Sequence, residues 1–181
     1  RHETIGAAFE LHIEQGPILE AEGATVGIVT GVQHMCRYQI AVRGQAAHAG
    51  TTPPAMRRDP MRALSRFLPR LYAAAERTGD DLRLTFGVIR AEPGSPNTIP
   101  DRLTLSADIR HPDAARYAEF TRDFVAIVEA ACRECDLECE VRRAWESPGG
   151  EFDPACIAAV RDAAAACGYR APEIVRGAGD D

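Results

Sequence analysis

Histidine, cysteine and arginine carry most of the chemistry open to this chain of 181 residues. All 21 basic residues are Arg, so a Schiff-base amine, a pyridoxal phosphate anchor and a P-loop lysine are excluded within this stretch. His12 lies on the polar side of the alternating segment Ala8-Phe9-Glu10-Leu11-His12-Ile13, followed by Glu14, Gln15 and a Gly16-Pro17 turn. An imidazole at such a strand end can face a cleft and ligate a metal. One histidine makes no metal site, and a surface or hydrogen-bonded core histidine is the alternative. His48 sits among small residues in Gly44-Gln45-Ala46-Ala47-His48-Ala49-Gly50-Thr51-Thr52-Pro53, a loop able to hold a donor against a ligand, or a turn that happens to include His. Asn97 follows Pro93-Gly94-Ser95-Pro96, where turn chemistry alone would explain it. Arg110 ends an alternating strand beside Asp108, and its guanidinium either grips a carboxylate bidentately or pairs with Asp108.

The six cysteines, at 36, 132, 135, 139, 156 and 167, raise a second possibility. Cys132, Cys135 and Cys139 have the close spacing of a zinc or iron–sulfur site, but a second Cys/His pair is missing and the group straddles a helix end and a strand start. They are read as reduced thiols of a cytoplasmic protein.

These residues need elements to position them. Phe9, Leu11 and Ile13 alternate as a first strand, a short helical piece follows through Ile18-Leu19-Glu20, and Val26 to Val32 forms a second strand. Tyr38, Ile40 and Val42 alternate with Arg37, Gln39 and Arg43 in a third, which runs into the His48 loop. Asp59-Pro60 starts a helix through Met61, Leu64, Leu68, Leu71 and Ala75, stopped at Thr78-Gly79 and kinked at Pro69. Leu82 to Val88 and Leu103 to Ile109 give two strands in hairpin-like succession. Asp113 caps a helix with Tyr117, Phe120, Phe124, Ile127, Val128 and Ala131 in one stripe, and Leu137, Cys139 and Val141 make a last strand.

Residues 33–143 thus spell strand, helix, strand, strand, helix, strand, the order of a ferredoxin-like α/β sandwich. A helix from Asp153 to Cys167 and a short strand Glu173-Ile174-Val175 remain outside it. The expected organisation is residues 1–32 and 144–181 as fragments of one host α/β domain, with 33–143 inserted between them. Arg1 at the start and the loop-like Gly177-Ala178-Gly179-Asp180-Asp181 at the end read as an excerpt from a longer polypeptide. A net charge of −6 speaks against a nucleic-acid binder, and with 45% apolar residues but no run near the roughly 18 needed to cross a bilayer, no membrane partner is expected.

Read together, Phe9-Glu10-Leu11-His12-Ile13-Glu14-Gln15-Gly16-Pro17, the His48 loop, Pro96-Asn97-Thr98-Ile99-Pro100 and Asp108-Ile109-Arg110-His111-Pro112 resemble the amidase, hydantoinase and carbamoylase branch of the M20 metallopeptidase family. The resemblance covers essentially the whole chain. It implies a zinc-peptidase-like catalytic domain with two divalent ions, Zn or Mn, interrupted by a ferredoxin-like lid that forms the homodimer interface; separately, an edge strand of the four-stranded sheet and its neighbouring helix could pair across a two-fold axis. By the same resemblance His12 is a metal ligand and Gln15 lies near the substrate. His48 is the catalytic group that reaches across a homodimer, while Asn97 and Arg110 bind a substrate carboxylate. The implied reaction is hydrolysis of non-peptide C–N bonds in N-carbamoyl-L-amino acids or allantoate. An M20 aminoacylase or peptidase is one alternative, and a catalytically silent dimerisation homologue is the other. The family's upstream His, Asp and Glu ligands and its Glu base are absent from this stretch, and Asp180 stands where relatives carry a His ligand.

Overall fold

Alternation of apolar and polar side chains along the strands decides the architecture. The structure, a computed structural model, describes residues 5–177. Its elements are α1 (Ile18–Ala21), β1 (Ile28–Val32), β2 (His34–Arg43), β3 (Ala47–His48), α2 (Pro60–Thr78), β4 (Arg83–Glu92), β5 (Thr98–Ile99), β6 (Arg102–His111), α3 (Ala114–Glu134), β7 (Glu138–Ser147), β8 (Gly150–Glu151), α4 (Pro154–Ala166) and β9 (Glu173–Arg176). They fall into two units, one spanning His34–Pro148 and the other made of the segments that flank it.

In the central unit the sheet order is β4-β6-β2-β7, every neighbouring pair antiparallel. With α2 and α3 in the two crossovers this is the ferredoxin-like arrangement expected from the sequence. Cys36, Tyr38, Ile40 and Val42 of β2 and Leu103, Leu105, Ala107 and Ile109 of β6 are buried with Phe67 and Leu71 of α2 and Phe120, Phe124 and Val128 of α3. Phe124 centres this core, its ring 5.0 Å from Tyr38 and 6.4 Å from both Phe86 and Phe120. The intervening residues, among them Arg37, Gln39, Asp108 and Arg110, occupy the opposite face, so one sheet presents a dry side and a charged side.

Both long helices begin where an aspartate accepts backbone protons. Asp59 Oδ1 takes Met61 N at 2.9 Å ahead of Pro60, and Asp113 Oδ1 takes Arg116 N at 2.8 Å. Pro69 does not break α2, which runs through it for 19 residues; the proline is on the exposed side, where the carbonyl it leaves without a donor can turn to water. The final strand extends beyond the predicted 143 because β7 stays paired with β2 as far as Met35 opposite Ser147.

The flanking unit is built on a three-stranded sheet, β8-β1-β9, in which β1 runs parallel to β9 and antiparallel to β8. Thr30 Oγ1 donates to Ile174 O at 3.3 Å, and Asp153 caps α4 by accepting from Ala155 N and Cys156 N. The strand expected over residues 8–13 is not formed. That segment has no regular structure, with Phe9, Leu11 and Ile13 at 62%, 97% and 76% exposure. Alternation supplies a strand with a face but not with a neighbour, and among the described residues nothing offers this segment a ladder.

Gly44 joins β2 to the His48 loop at the tightest point of the central unit. A Cβ there would sit 2.3 Å from Arg58 O and 2.6 Å from Pro60 Cδ. Gly44→Ala is therefore expected to destabilise the central unit by about 1–3 kcal/mol through forced backbone displacement. A thermal melt checks this, and an unchanged Tm would mean that the Arg58 carbonyl yields without cost.

Candidate active site

His48 and Asn97 are brought together by the smallest elements of the fold. β3 and β5 form a two-stranded antiparallel ribbon with Ala47 opposite Ile99 and His48 opposite Thr98. Ala49 N then donates to Asn97 O at 2.9 Å, which extends the ribbon to Asn97 itself. The ribbon follows the end of the sheet where Gly44 N bonds Asp101 O at 2.7 Å.

The ring of His48 has a defined proton. Gly50 N lies 3.0 Å from Nδ1, and since a backbone N–H can only donate, Nδ1 is the acceptor and the neutral ring carries its proton on Nε2. The side chain is exposed, so the ribbon holds out a single N–H donor. In Asn97 the Oδ1 atom accepts from Ser95 Oγ at 2.7 Å, which leaves the amide nitrogen as the group available to donate. Turn chemistry and donor chemistry therefore coexist at Asn97.

Arg110 lies elsewhere. β6 separates it from Arg102, at the ribbon end of the sheet, by eight residues, or about 26 Å of strand at 3.3 Å per residue. Its Nε and Nη2 donate to Asp108 Oδ1 and Oδ2 at 2.6 and 3.1 Å, and Arg37 Nε reaches Asp108 Oδ2 at 3.2 Å. Arg37 in turn stacks over Trp145 at 5.4 Å. Sequence reasoning foresaw the Arg110–Asp108 pair but not Arg37, because alternation puts Arg37 on the right face while only the ladder register sets it opposite Asp108.

In the flanking unit His12 Nδ1 lies 2.7 Å from Ile13 O. A carbonyl can only accept, so in the neutral ring Nδ1 carries the proton and Nε2 keeps the lone pair, a tautomer able to ligate a metal through Nε2. Glu14 is not available alongside it, since its carboxylate takes Ile18 N and Leu19 N at 2.9 and 3.0 Å as the cap of α1. Gln15 has a left-handed backbone, φ 56°, which throws its exposed side chain out of the chain's local direction. Among the described residues no three His, Cys, Asp or Glu side chains converge to hold a metal, the cysteines included; Asp180 lies outside the described residues. All six cysteines are free.

Burial alone would raise the Asp108 carboxyl, but the hydrogen bonds and charges of Arg110 and Arg37 outweigh it and hold the group below the usual carboxylate range. Its stabilisation is therefore fully present above the unfolded value of about 3.9 and is lost as pH falls through the lower folded value. Asp108→Asn is expected to cost stability at neutral pH and to flatten the decline below about pH 4. Chemical denaturation across that range checks it, and parallel curves for variant and parent would remove this pair from the acid response.

The M20 peptidase dimerisation domain matches residues 30–136. The chain is 37% identical to an allantoate amidohydrolase of Bacillus subtilis over 98% of its own length and 43% of the relative's, and 33% identical to an N-carbamoyl-L-amino-acid amidohydrolase of Rhizobium meliloti over 97% and 42%. Among solved structures, a hydantoinase/carbamoylase family amidase from Burkholderia multivorans superposes with a TM-score of 0.86 at 39% identity, covering 93% of this chain and 41% of that one. The chain thus spans about two-fifths of the length of these relatives. No helix among the described residues is long and apolar enough to cross a membrane. With the central sheet, its two covering helices and the His48 ribbon all inside the matched span or continuous with it, the chain belongs to the M20 family through its dimerisation domain.

Proposed function

We propose that the full-length protein is a metal-dependent amidohydrolase that cleaves non-peptide C–N bonds of small ureido acids, of the N-carbamoyl-L-amino acid or allantoate type. The observation that carries this reading is the outward Nε2–H of His48, fixed by the Gly50 N–H at its other nitrogen. Such a donor suits the oxyanion that develops when a carbamoyl or amidino carbon is attacked. Asn97, on the same ribbon, offers an amide N–H to the substrate's carboxylate, and the resemblance to the family assigns Gln15 to substrate binding. His12, as the tautomer with a free Nε2, would hold one of two divalent ions, Zn or Mn, together with ligands outside this stretch. When bound, such ions supply an acidified water as nucleophile.

Arg110 then belongs to a site completed by two copies of the chain. The strand length between it and the ribbon is far greater than a small ureido acid, so one copy cannot bring both to one substrate. β4 is an edge of the sheet and exposes Val88 and Ile89, with Tyr72 of α2 beside Phe86. The other edge, β7, carries Glu138, Glu140, Arg142 and Arg143, the kind of charge that blocks strand pairing. Two β4 strands paired antiparallel about a two-fold axis near Gly87 would set the Glu92 end of one beside the Arg83 end of the other. Glu92 is at the ribbon end of the sheet and Arg83 is opposite Arg110. The second copy's His48 and Asn97 would therefore approach Arg110 of the first. Free cysteines fit a reducing, cytoplasmic setting.

Ammonia release from a panel of N-carbamoyl-L-amino acids and allantoate by the metal-loaded full-length protein tests the substrate class, and no release from any of them would defeat it. His48→Ala is expected to fold normally and lose about 100-fold to 1,000-fold in kcat. Coexpressed His48→Ala and Arg110→Ala chains, each inactive alone, should recover about a quarter of the parent rate, since half of randomly mixed dimers carry one intact site of two. Recovery of nothing from a demonstrated heterodimer would confine each site to one copy.

A further inference from the structure

The two-residue ribbon that presents His48 has almost no stability of its own, and a side chain just past it bonds the loop in place. Arg57 sits half-buried just past the loop, with Nε donating to Thr52 O at 2.9 Å and Nη2 to Ala49 O at 2.7 Å. Among the described residues no carboxylate is paired with it, so its fork is directed at two carbonyls of one loop. Between those carbonyls lie Gly50, whose N–H fixes the His48 ring, and Thr52, whose N–H returns to His48 O at 3.2 Å. Ala49 itself is the residue that donates to Asn97 O. The base of Arg57 is also fixed, because the next residue's carbonyl, Arg58 O, accepts Gln45 N at 2.9 Å and so ties the loop's exit to its entrance.

We propose that Arg57 is a positioning residue: by bridging the Ala49 and Thr52 carbonyls it closes the 48–52 turn, and through Gly50 it sets the direction of the His48 Nε2–H and the spacing of His48 from Asn97. The inference rests on the reading of His48 as an oxyanion donor and adds a group that acts through it. The chain uses arginine at every basic position, so residue type alone says nothing here; what singles out Arg57 is the span of its fork. The carbonyls of Ala49 and Thr52, three positions apart, are held by two donors on one rigid guanidinium plane, a geometry that the rotating donors of an ammonium on a flexible stem fix less tightly. Loss of the bridge would leave the loop's carbonyls to water and its turn free to open, displacing the ring without touching the core.

The test uses the full-length, metal-loaded protein with Arg57→Gln and Arg57→Lys in the parent and His48→Ala backgrounds. Arg57→Gln is expected to lower kcat about 10-fold to 100-fold while KM shifts much less, as a misplaced catalytic group does. Arg57→Lys should recover little of that loss, and millimolar guanidinium should restore part of the rate to Arg57→Gln. In the His48→Ala background the same substitution should change the rate by less than about twofold, because its route of action is already gone. An equal loss in both backgrounds would overturn the proposal by showing that Arg57 acts elsewhere. Imidazole nitrogen shifts give a readout independent of turnover. In Arg57→Gln the His48 Nδ1 signal should move toward that of an unbonded ring and the Gly50 amide should lose exchange protection, and unchanged shifts and protection would equally overturn the proposal. If His48→Ala were fully active, the donor reading would fall, while these shifts would still decide whether Arg57 holds the ring.

Discussion

Ten residues of β6 set Leu103, Leu105, Ala107 and Ile109 against the helices and Thr104, Ser106, Asp108 and Arg110 on the other face, from one end of the sheet to the other. A strand cannot shorten. Whatever is fastened near Arg102 stays a strand's length from whatever is fastened at Arg110, and the ladders to β2 and β4 on either side lock that separation. The ribbon with His48 and Asn97 belongs to the first end, the Asp108–Arg110 pair to the second. In the proposed two-copy site the division would follow from sheet geometry, and the same sheet supplies an edge on which two copies would meet.

Charge is arranged differently on the two faces. On the open face Asp108 lies between two guanidinium groups, which leaves a local excess of positive charge beside the Arg110 of the proposed carboxylate site. Toward the helices, Arg143 bonds both oxygens of Glu146 and the hydroxyl of Tyr38, and Tyr117 donates to Glu146 at 2.8 Å. That network closes on itself. Its groups satisfy one another at the margin of the core, and burial raises the Tyr117 hydroxyl well above its ordinary value. Burial likewise pushes the Cys132 thiol up to about 12, with the neighbouring Cys139 and Cys135 adding to the shift, so it packs as a protonated thiol.

The long elements were legible in the sequence because each carries several independent signals. Asp59, Asp113 and Asp153 all cap helices, and the alternation over residues 37–43 and 103–109 gives the correct inner faces of β2 and β6 there. The failures have physical causes. Residues 8–13 have the period of a strand, yet a strand exists only with a neighbour, and periodicity does not report neighbours. β3 and β5 are two residues long, too short for any period, so the ribbon that unites His48 with Asn97 could not be read from spacing. Arg37 and Arg57 were missed for a related reason. Both act through ladder register or through backbone carbonyls, and neither leaves a pattern of residue types. What the sequence did carry was the identity of His48, Asn97 and Arg110 as residues worth locating, without the fact that the third lies apart from the other two.

A two-residue ribbon has almost no stability of its own, so the order of the His48 loop must come from its surroundings. Gly44 contributes by having no side chain, since its backbone passes within a Cβ's contact of Arg58 O and Pro100 O at once. The bonds from Gly44 N to Asp101 O and from Gln45 N to Arg58 O anchor the loop's entrance to both the β6 side and the start of α2. Asp59 and Pro60 then begin α2 immediately, with Pro60 buried, so the loop's exit is fixed to a helix whose inner face is the core. Rigidity reaches the imidazole in steps: from the packed helix to the Arg58 backbone, from there to the adjoining guanidinium and loop carbonyls, and last to Gly50. An exposed donor can in this way be held nearly as firmly as a buried one, without the desolvation that burial would impose on it.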